Sequence, residues 1–435
     1  MPHGAGTHHR LSPGAHRDQL AQNPAAGRAC VSKNPRACIT LARQSASRNA
    51  LDLMENPIQE LQIAQSLLLA LAEDADTQTW RRQYHPDLAP LGWQLGHCVY
   101  VECLWLHERI RGDDSVTAPI ADFYTPGRQA PEDLESRLPP QPALLTWARE
   151  IQAFNRHFLA EMPPQWRTHA LVRDDALLHY LVQHHSRHYE TMLMILSQKA
   201  LRETRPNGFA PAPLHAAAPR DDQVEIPGGH YRIGTALPAG SDTEAPPQHA
   251  QLGDFSIARY PVSNAEYLGF MEDGGYSREA LWEPAGWRWV QDHKIQAPDH
   301  WRLSDSGAWY GIGMRGPYEL AADEPVAGIS RFEAAAYARW AGARLPHEYQ
   351  WEAACRSGVL QQTGRVWEWC ENPFQAYEGY RPFPDPETPE SRFDEHHYSL
   401  RGGCLHTRRA IKRPSYRTGF QPDRRHMFAG LRLVY

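Results

Sequence analysis

A chain of 435 residues that is 41% hydrophobic and 22% charged has room for two or three domains and the composition of an ordinary soluble globular protein. A net charge of -6 gives no reason to expect nucleic acid or an anionic membrane as partner, and no apolar run approaches the roughly 20 residues that span a bilayer. Seven scattered cysteines, with no CxxC pair and no apolar leader ahead of them, point to free thiols in a reducing cytoplasm.

Residues 1–53 are poor in large apolar side chains and nearly free of acids, and read as a disordered extension or as a start placed too far upstream, with Met54 the true beginning. A transit-like peptide is the remaining reading of that segment. From 54 to 204 the periodicity is helical. "IQELQIAQSLLLALAEDA" is a first amphipathic helix and "PLGWQLGHCVYVECLWLHERIRG" a second, ended by Gly112. "PALLTWAREIQAFNRHFLAEM" is a third, ended by Pro163 and Pro164. "DDALLHYLVQHHSRHYETMLMILSQKAL" is a fourth, with Asp174 and Asp175 at its positive N-terminal end. Four such helices predict an antiparallel bundle. Residues 205–223 form a Pro/Ala-rich linker. Residues 224–435 carry short strand patterns, frequent Gly, Pro and Trp, and one clear helix in "FEAAAYARWAGARLP", which predicts a loop-rich α+β domain.

The fourth helix holds an anomaly. Leu177, Leu181, His184, His188, Thr191 and Ile195 follow steps of 4, 3, 4, 3 and 4, the spacing of one core-facing stripe. His184 and His188 therefore lie one turn apart on the buried face, where two imidazoles can hold one metal ion from one side. His179 and His185 fall off the stripe and are expected to face solvent. His97, on the apolar second helix with Val101 and Leu104 at i+4 and i+7, is the best third ligand. Glu190 is placed to orient a ligand ring. Spacing weighs a metal site and a set of hydrogen-bonded core histidines about equally, and does not choose the metal.

"GWQLGH" followed by "QHHSRHYE" resembles the DinB-like bundle of the ergothioneine-type hercynine sulfoxide synthases. "IPGGHYRIG", "FSIARYPVSNAEYLGFMEDGGY", "WAGARLPHEYQWEAA", "GRVWEWCENPF", "LRGGC" and "RPSYRTGFQPDRRHMFAGLRL" resemble, in collinear order, their formylglycine-generating-enzyme-like domain, a C-type-lectin-related fold. The resemblance implies a non-heme Fe(II) on His97, His184 and His188, with O2 as co-substrate. It further implies oxidative joining of a chalcogen to C2 of the imidazole of hercynine, at a site where the two domains meet. The copper-thiolate chemistry of formylglycine-generating enzymes is not implied. Thr407 and Lys412 stand at the positions of their two cysteines, and Cys404 at the preceding serine.

The departures from the family bear on the chalcogen donor. After "SYR" this chain has Thr418, Gly419 and Phe420 in place of the Asn-Trp-Asp of enzymes that use γ-glutamylcysteine, so an apolar ring replaces the acid expected to hold the donor's amine. The loop "ADFYTPGRQAPEDLESRLPP" lacks the family's Asn-Ser-Tyr-Tyr and paired-Arg pattern. A neutral donor fits that pocket better, and the chain resembles the selenoneine-synthase branch of the family, which takes a selenosugar. A thiol such as γ-glutamylcysteine or cysteine is the alternative donor, and a non-enzymatic lectin-like binding protein the reading from another class. Arg187 and Thr418 are expected to meet hercynine, and Phe420 to line the donor side. The proton donor falls among Asp385, Tyr377, Tyr380 and Tyr398. Cys370 and Cys404 read as buried structural thiols, and the arginines from 401 to 425 as ion-pair partners of nearby acids. The oligomeric state is left open.

Overall fold

The computed structural model describes residues 56–128, 131–205, 208–385 and 390–435; the extension expected at 1–53 lies outside them. Four long helices come first: α1 (Pro57–Glu73), α2 (Leu91–Cys103), α3 (Gln141–Ala160) and α4 (Ala176–Glu203). Asn56 caps α1 by accepting from the amides of Ile58 and Gln59, with Pro57 in the first turn where its missing N–H costs nothing. α2 runs on into a π-helical turn, Leu104–Ile110, and the chain leaves it at Gly112 with φ +71°. α1 packs on α3 and α4, and α2 on α3 and α4, which gives a DinB-like four-helix bundle. At the start of α4 both Asp174 and Asp175 adopt left-handed backbone, and Asp175 caps with no side-chain hydrogen bond. Their contribution there is charge near the helix N-terminus rather than a cap.

The second half has mixed helix and sheet, as a C-type-lectin-like domain should. Its strands are short: β1 (Gln223–Ile226), β2 (Gly229–Ile233), β3 (Gln248–Leu252), β4 (Phe255–Ala258), β5 (Trp301–Leu303), β6 (Trp309–Gly313), β7 (Gly316–Glu319), β8 (Trp367–Pro373), β9 (Tyr398–Arg401), β10 (Arg417–Phe420) and β11 (Ala429–Gly430). They pair as β1–β4, β2–β3, β5–β6–β7 and β10–β9–β8–β11, antiparallel except for β8–β11. Between them lie α5 (Asn264–Glu272), α6 (Pro284–His293), α7 (Arg331–Trp340) and α8 (Glu348–Arg356). Ser263 with Glu266, Ser330 with Glu333 and His347 with Gln350 form reciprocal capping boxes, which explains why three of these short helices start where they do.

The interior of this domain is rich in ion pairs. Arg401, Arg417 and Arg432 are at most 2% exposed, and each is held by a carboxylate from Glu348, Glu352 or Glu368. A buried guanidinium is tolerable only when paired in this way. β6 packs on α4, and Glu190 of α4 accepts from the Trp367 indole at 2.6 Å, so the lectin-like domain is seated directly on the fourth helix. Cys98, Cys103, Cys355, Cys370 and Cys404 are free thiols. Among the described residues no helix is long and apolar enough to cross a membrane.

Candidate metal centre

α2 and α4 bring His97, His184 and His188 together. Their ring centroids are 5.1 Å (97–184), 4.7 Å (97–188) and 4.4 Å (184–188) apart, and one nitrogen from each ring lies within 4.8 Å of the others. Two of the rings have their tautomer set by a partner that can only accept. His97 donates from Nδ1 to the Tyr124 carbonyl at 2.8 Å, and His188 donates from Nδ1 to Gln94 Oε1 at 2.7 Å. The Gln94 amide is itself oriented, since its Nε2 donates to the Ala89 carbonyl. Nε2 of both rings is thereby left as a lone-pair donor. Nδ1 of His184 is buried and has no hydrogen-bond partner among the described residues. Burial lowers His97 to about 4 and holds His184 and His188 well below the ordinary histidine value, with the neighbouring imidazoles and Arg187 adding to the effect. Three neutral imidazoles converging in this way could hold a divalent transition metal ion.

The sequence "GWQLGH" is explained by what surrounds it. A Cβ on Gly96 would lie 2.3 Å from the Tyr124 ring, so only glycine admits that ring against α2. The Trp93 indole donates to the Phe123 carbonyl and its ring stacks on His97 at 4.8 Å. Gly96 and Trp93 together fix the Phe123–Tyr124 segment, whose carbonyl then orients His97.

The expectation that His185 faces solvent is wrong. His185 is fully buried and donates to Glu102 Oε1 at 2.7 Å, while its Nδ1 meets the Leu181 carbonyl. Glu102 also accepts from Gln65 and Asn155, so one carboxylate ties three helices to α4. The cause is that α4 touches other elements nearly all round, so the face 100° from the stripe is also interior. The signal lay in the sequence as a glutamate inside the apolar run "HCVYVECLWL". His179 is half-buried. Both nitrogens of His185 are engaged, so the neighbouring set Cys98, His184 and His185 has no free imidazole to add to His184.

The role expected of Glu190 is also corrected. Among the described residues it makes no hydrogen bond to His97, His184 or His188, and instead accepts from Trp367, from Thr407 at 2.8 Å and from Cys404. Gln94 and the Tyr124 carbonyl do the orienting. Beside the histidines, a small cavity opens between α4 and the lectin-like domain, lined by Tyr180, Gln183, Arg187, Asp242, Phe383 and Tyr416. The Tyr180 ring is 5.7 Å from His184. Arg187 has no ion pair or side-chain hydrogen bond among the described residues. Its charge is felt by Asp242 and Glu390.

This arrangement has relatives. A family described as "DinB superfamily" matches residues 60–192, and one described as "Sulfatase-modifying factor enzyme 1-like domain" matches 210–363 and 357–435. The hercynine oxygenase of Mycolicibacterium smegmatis is 31% identical over 86% of this chain and 97% of its own length. The chain belongs to the hercynine oxygenase family. The hercynine oxygenase of Mycobacterium tuberculosis is 29% identical over 81% of this chain and 92% of its own. The formylglycine-generating enzyme of Streptomyces coelicolor, 36% identical, covers only 37% of this chain.

Within this hercynine oxygenase fold, the other residues singled out by sequence do not themselves line the cavity and lie at several places in the lectin-like domain. Thr418 Oγ1 accepts from Arg392 at 3.1 Å, and Arg392 pairs with Glu390. Phe420 is half-buried, edge-on to His426 at 5.7 Å. Tyr380 donates to Asp242 at 2.9 Å and so reaches the cavity wall. Tyr377 lies in the lectin-like interior, 3% exposed, with the Arg417 guanidinium 4.3 Å above its ring. Asp385 is half-buried, next to the undescribed residues 386–389. Tyr398 is half-buried with the Arg331 guanidinium 3.8 Å over its ring. Tyr180, Asp242 and Tyr416 were not legible as site residues, because each comes from a different part of the chain and only packing unites them.

Proposed function

We propose that the chain is an Fe(II)- and O2-dependent enzyme that oxidatively joins a chalcogen to C2 of the hercynine imidazole, with His97, His184 and His188 as iron ligands. The observation that supports it is the buried three-histidine set with an unpartnered nitrogen, beside a cavity that contains an unpaired arginine. Iron bound there would supply O2 activation at open coordination positions. The protein's own part is orientation and charge. Gln94 and the Tyr124 carbonyl hold two ligand rings in the metal-binding tautomer. Arg187 offers a fork to the hercynine carboxylate. Tyr180 and Tyr416 offer π-faces to the trimethylammonium group. Burial keeps both phenols protonated, so Tyr180, Tyr416 or the Asp242-bound Tyr380 can hold a proton at the cavity wall.

For the donor, we infer a selenosugar. The support is in the sequence, where Phe420 stands in place of the acid of the Asn-Trp-Asp run, and in Arg392, which is already paired with Glu390. A thiol donor is the second reading, supported by overall similarity to the named hercynine oxygenases. The test supplies Fe(II), O2 and hercynine with selenoglucose, thioglucose, cysteine or γ-glutamylcysteine, and reads products by mass spectrometry. Turnover with the sugars is expected. Turnover with γ-glutamylcysteine alone would overturn the donor, and no product from any donor would overturn the enzyme reading. Phe420→Asp is expected to fold normally and to turn over a sugar less well; better turnover would remove Phe420 from the donor side.

A further inference from the structure

A second histidine cluster lies outside the site described above. His85 and Asp87 sit in a tight turn just before α2, closed by the pairing of His85 with Leu88. His426 comes from the loop between β10 and β11. One ligand atom from each of the three lies within 4.8 Å of the others, and the two imidazole centroids are 4.2 Å apart. His426 is 1% exposed, yet neither of its ring nitrogens has a hydrogen-bond partner among the described residues. Buried polar atoms nearly always find partners, so a fully buried imidazole with both nitrogens bare marks a missing ligand. His85 has one nitrogen in use, since Nδ1 accepts from the Asp87 amide, which leaves Nε2 for another partner. Asp87 pairs with Arg424 through Oδ2, and a carboxylate can keep one oxygen on a guanidinium while lending the other to a cation. Burial keeps both rings neutral, as metal ligation requires, with the Arg424 charge adding to that effect and the Asp299 charge opposing it.

We propose that His85, Asp87 and His426 form a second metal site, distinct from the three-histidine centre, that takes a borderline divalent cation such as Zn(II). The donor set is two imidazoles and one carboxylate, a combination that suits zinc and leaves a position for water. Two metal–nitrogen bonds of about 2.1 Å span at most about 4.2 Å, so small side-chain rotations from the present spacing complete the site. The ion would pin the turn that leads into α2 to the loop that leads into β11, and so tie the bundle to the lectin-like domain on the side where Phe420 meets His426. Its role is a clamp on the wall of the site rather than catalysis.

The test uses the full chain, tag removed, with His97, His184 and His188 all replaced by Ala so that the first centre is lost. Zn(II) is titrated against a competing chelator, which strips weak binding by the exposed histidines. One retained equivalent is expected, with the melting temperature raised by zinc. His426→Asn and His85→Asn should each weaken that equivalent by at least tenfold. Asp87→Asn, at an exposed position, gives the same reading if the buried His426 variant fails to fold. No retained equivalent, or one unchanged by all three substitutions, would overturn the proposal, and would leave His426 with a buried water instead. Because the readout is zinc binding in a protein that lacks the first centre, its failure is independent of the iron reading.

Discussion

Two regions of this molecule bury many polar groups, and the buried arginines of one contrast with two side chains on α4 of the other. In the lectin-like domain Arg401, Arg417 and Arg432 are each matched to a carboxylate. On α4 the same solution appears where His185 meets Glu102, which gathers Gln65 and Asn155, and where Glu190 accepts from Trp367 and Thr407. One residue earlier along the helix, His184 keeps a buried nitrogen without a hydrogen-bond partner, and Arg187 keeps its charge without an ion pair, among the described residues. A satisfied buried group holds a fold together, whereas an unsatisfied one is open to a water or a ligand. Neighbouring imidazoles on one helix therefore separate into structure and function by their partners, not by their burial.

The largest effect that tests this contrast is removal of the ligand face. His97→Ala, His184→Ala or His188→Ala is expected to abolish iron binding and turnover almost completely while the chain still folds, read by metal analysis and far-UV circular dichroism. The complementary face should respond the other way. Glu102→Leu strands the buried donors of His185, Asn155 and Gln65, and is expected to cost on the order of 3–5 kcal/mol of stability. Iron bound per folded chain should barely change. If Glu102→Leu loses iron without losing stability, the two faces are not distinct.

The orienting groups come next. Gln94→Leu leaves Nδ1 of His188 without its acceptor, and is expected to lower iron affinity by about 10–100-fold. Gly96→Ala should act similarly at His97, since the added methyl displaces Tyr124 and with it the carbonyl that fixes that ring. Both are read by competition with a chelator; Gln94→Leu should barely move the melting temperature of the metal-free protein, whereas Gly96→Ala should lower it by less than Glu102→Leu does, an overpacking cost of about 1–3 kcal/mol.

How much of this was readable from residues alone follows from the same physics. The bundle was legible because its helices carry a long 3.6-residue apolar period, and His184 and His188 because they break that period on its buried face. His97 was legible from the apolar run around it. His185 was not, because a helix enclosed on most sides has no outer face, and periodicity assumes one. Glu190 was misread because a carboxylate two residues from a ligand can turn toward either domain, and only the position of Trp367 decides. Tyr180, Asp242 and Tyr416 meet through tertiary packing across the domain junction, which no local pattern encodes.

The smallest effect concerns the unpaired cation. If Arg187 waits for the hercynine carboxylate, its removal should raise the KM for hercynine with little effect on iron content. A charged hydrogen bond of about 1.5–3 kcal/mol corresponds to roughly 10–100-fold, so Arg187→Gln is expected to shift KM by about that much. Arg187→Lys keeps the charge but loses the two-pronged fork, and should cost less, about tenfold or under. A structural arginine would give the opposite pattern. Both variants would then lower the melting temperature, and KM would not move. The ratio of the two KM shifts separates charge from geometry at a cation that has no ion-pair partner among the described residues.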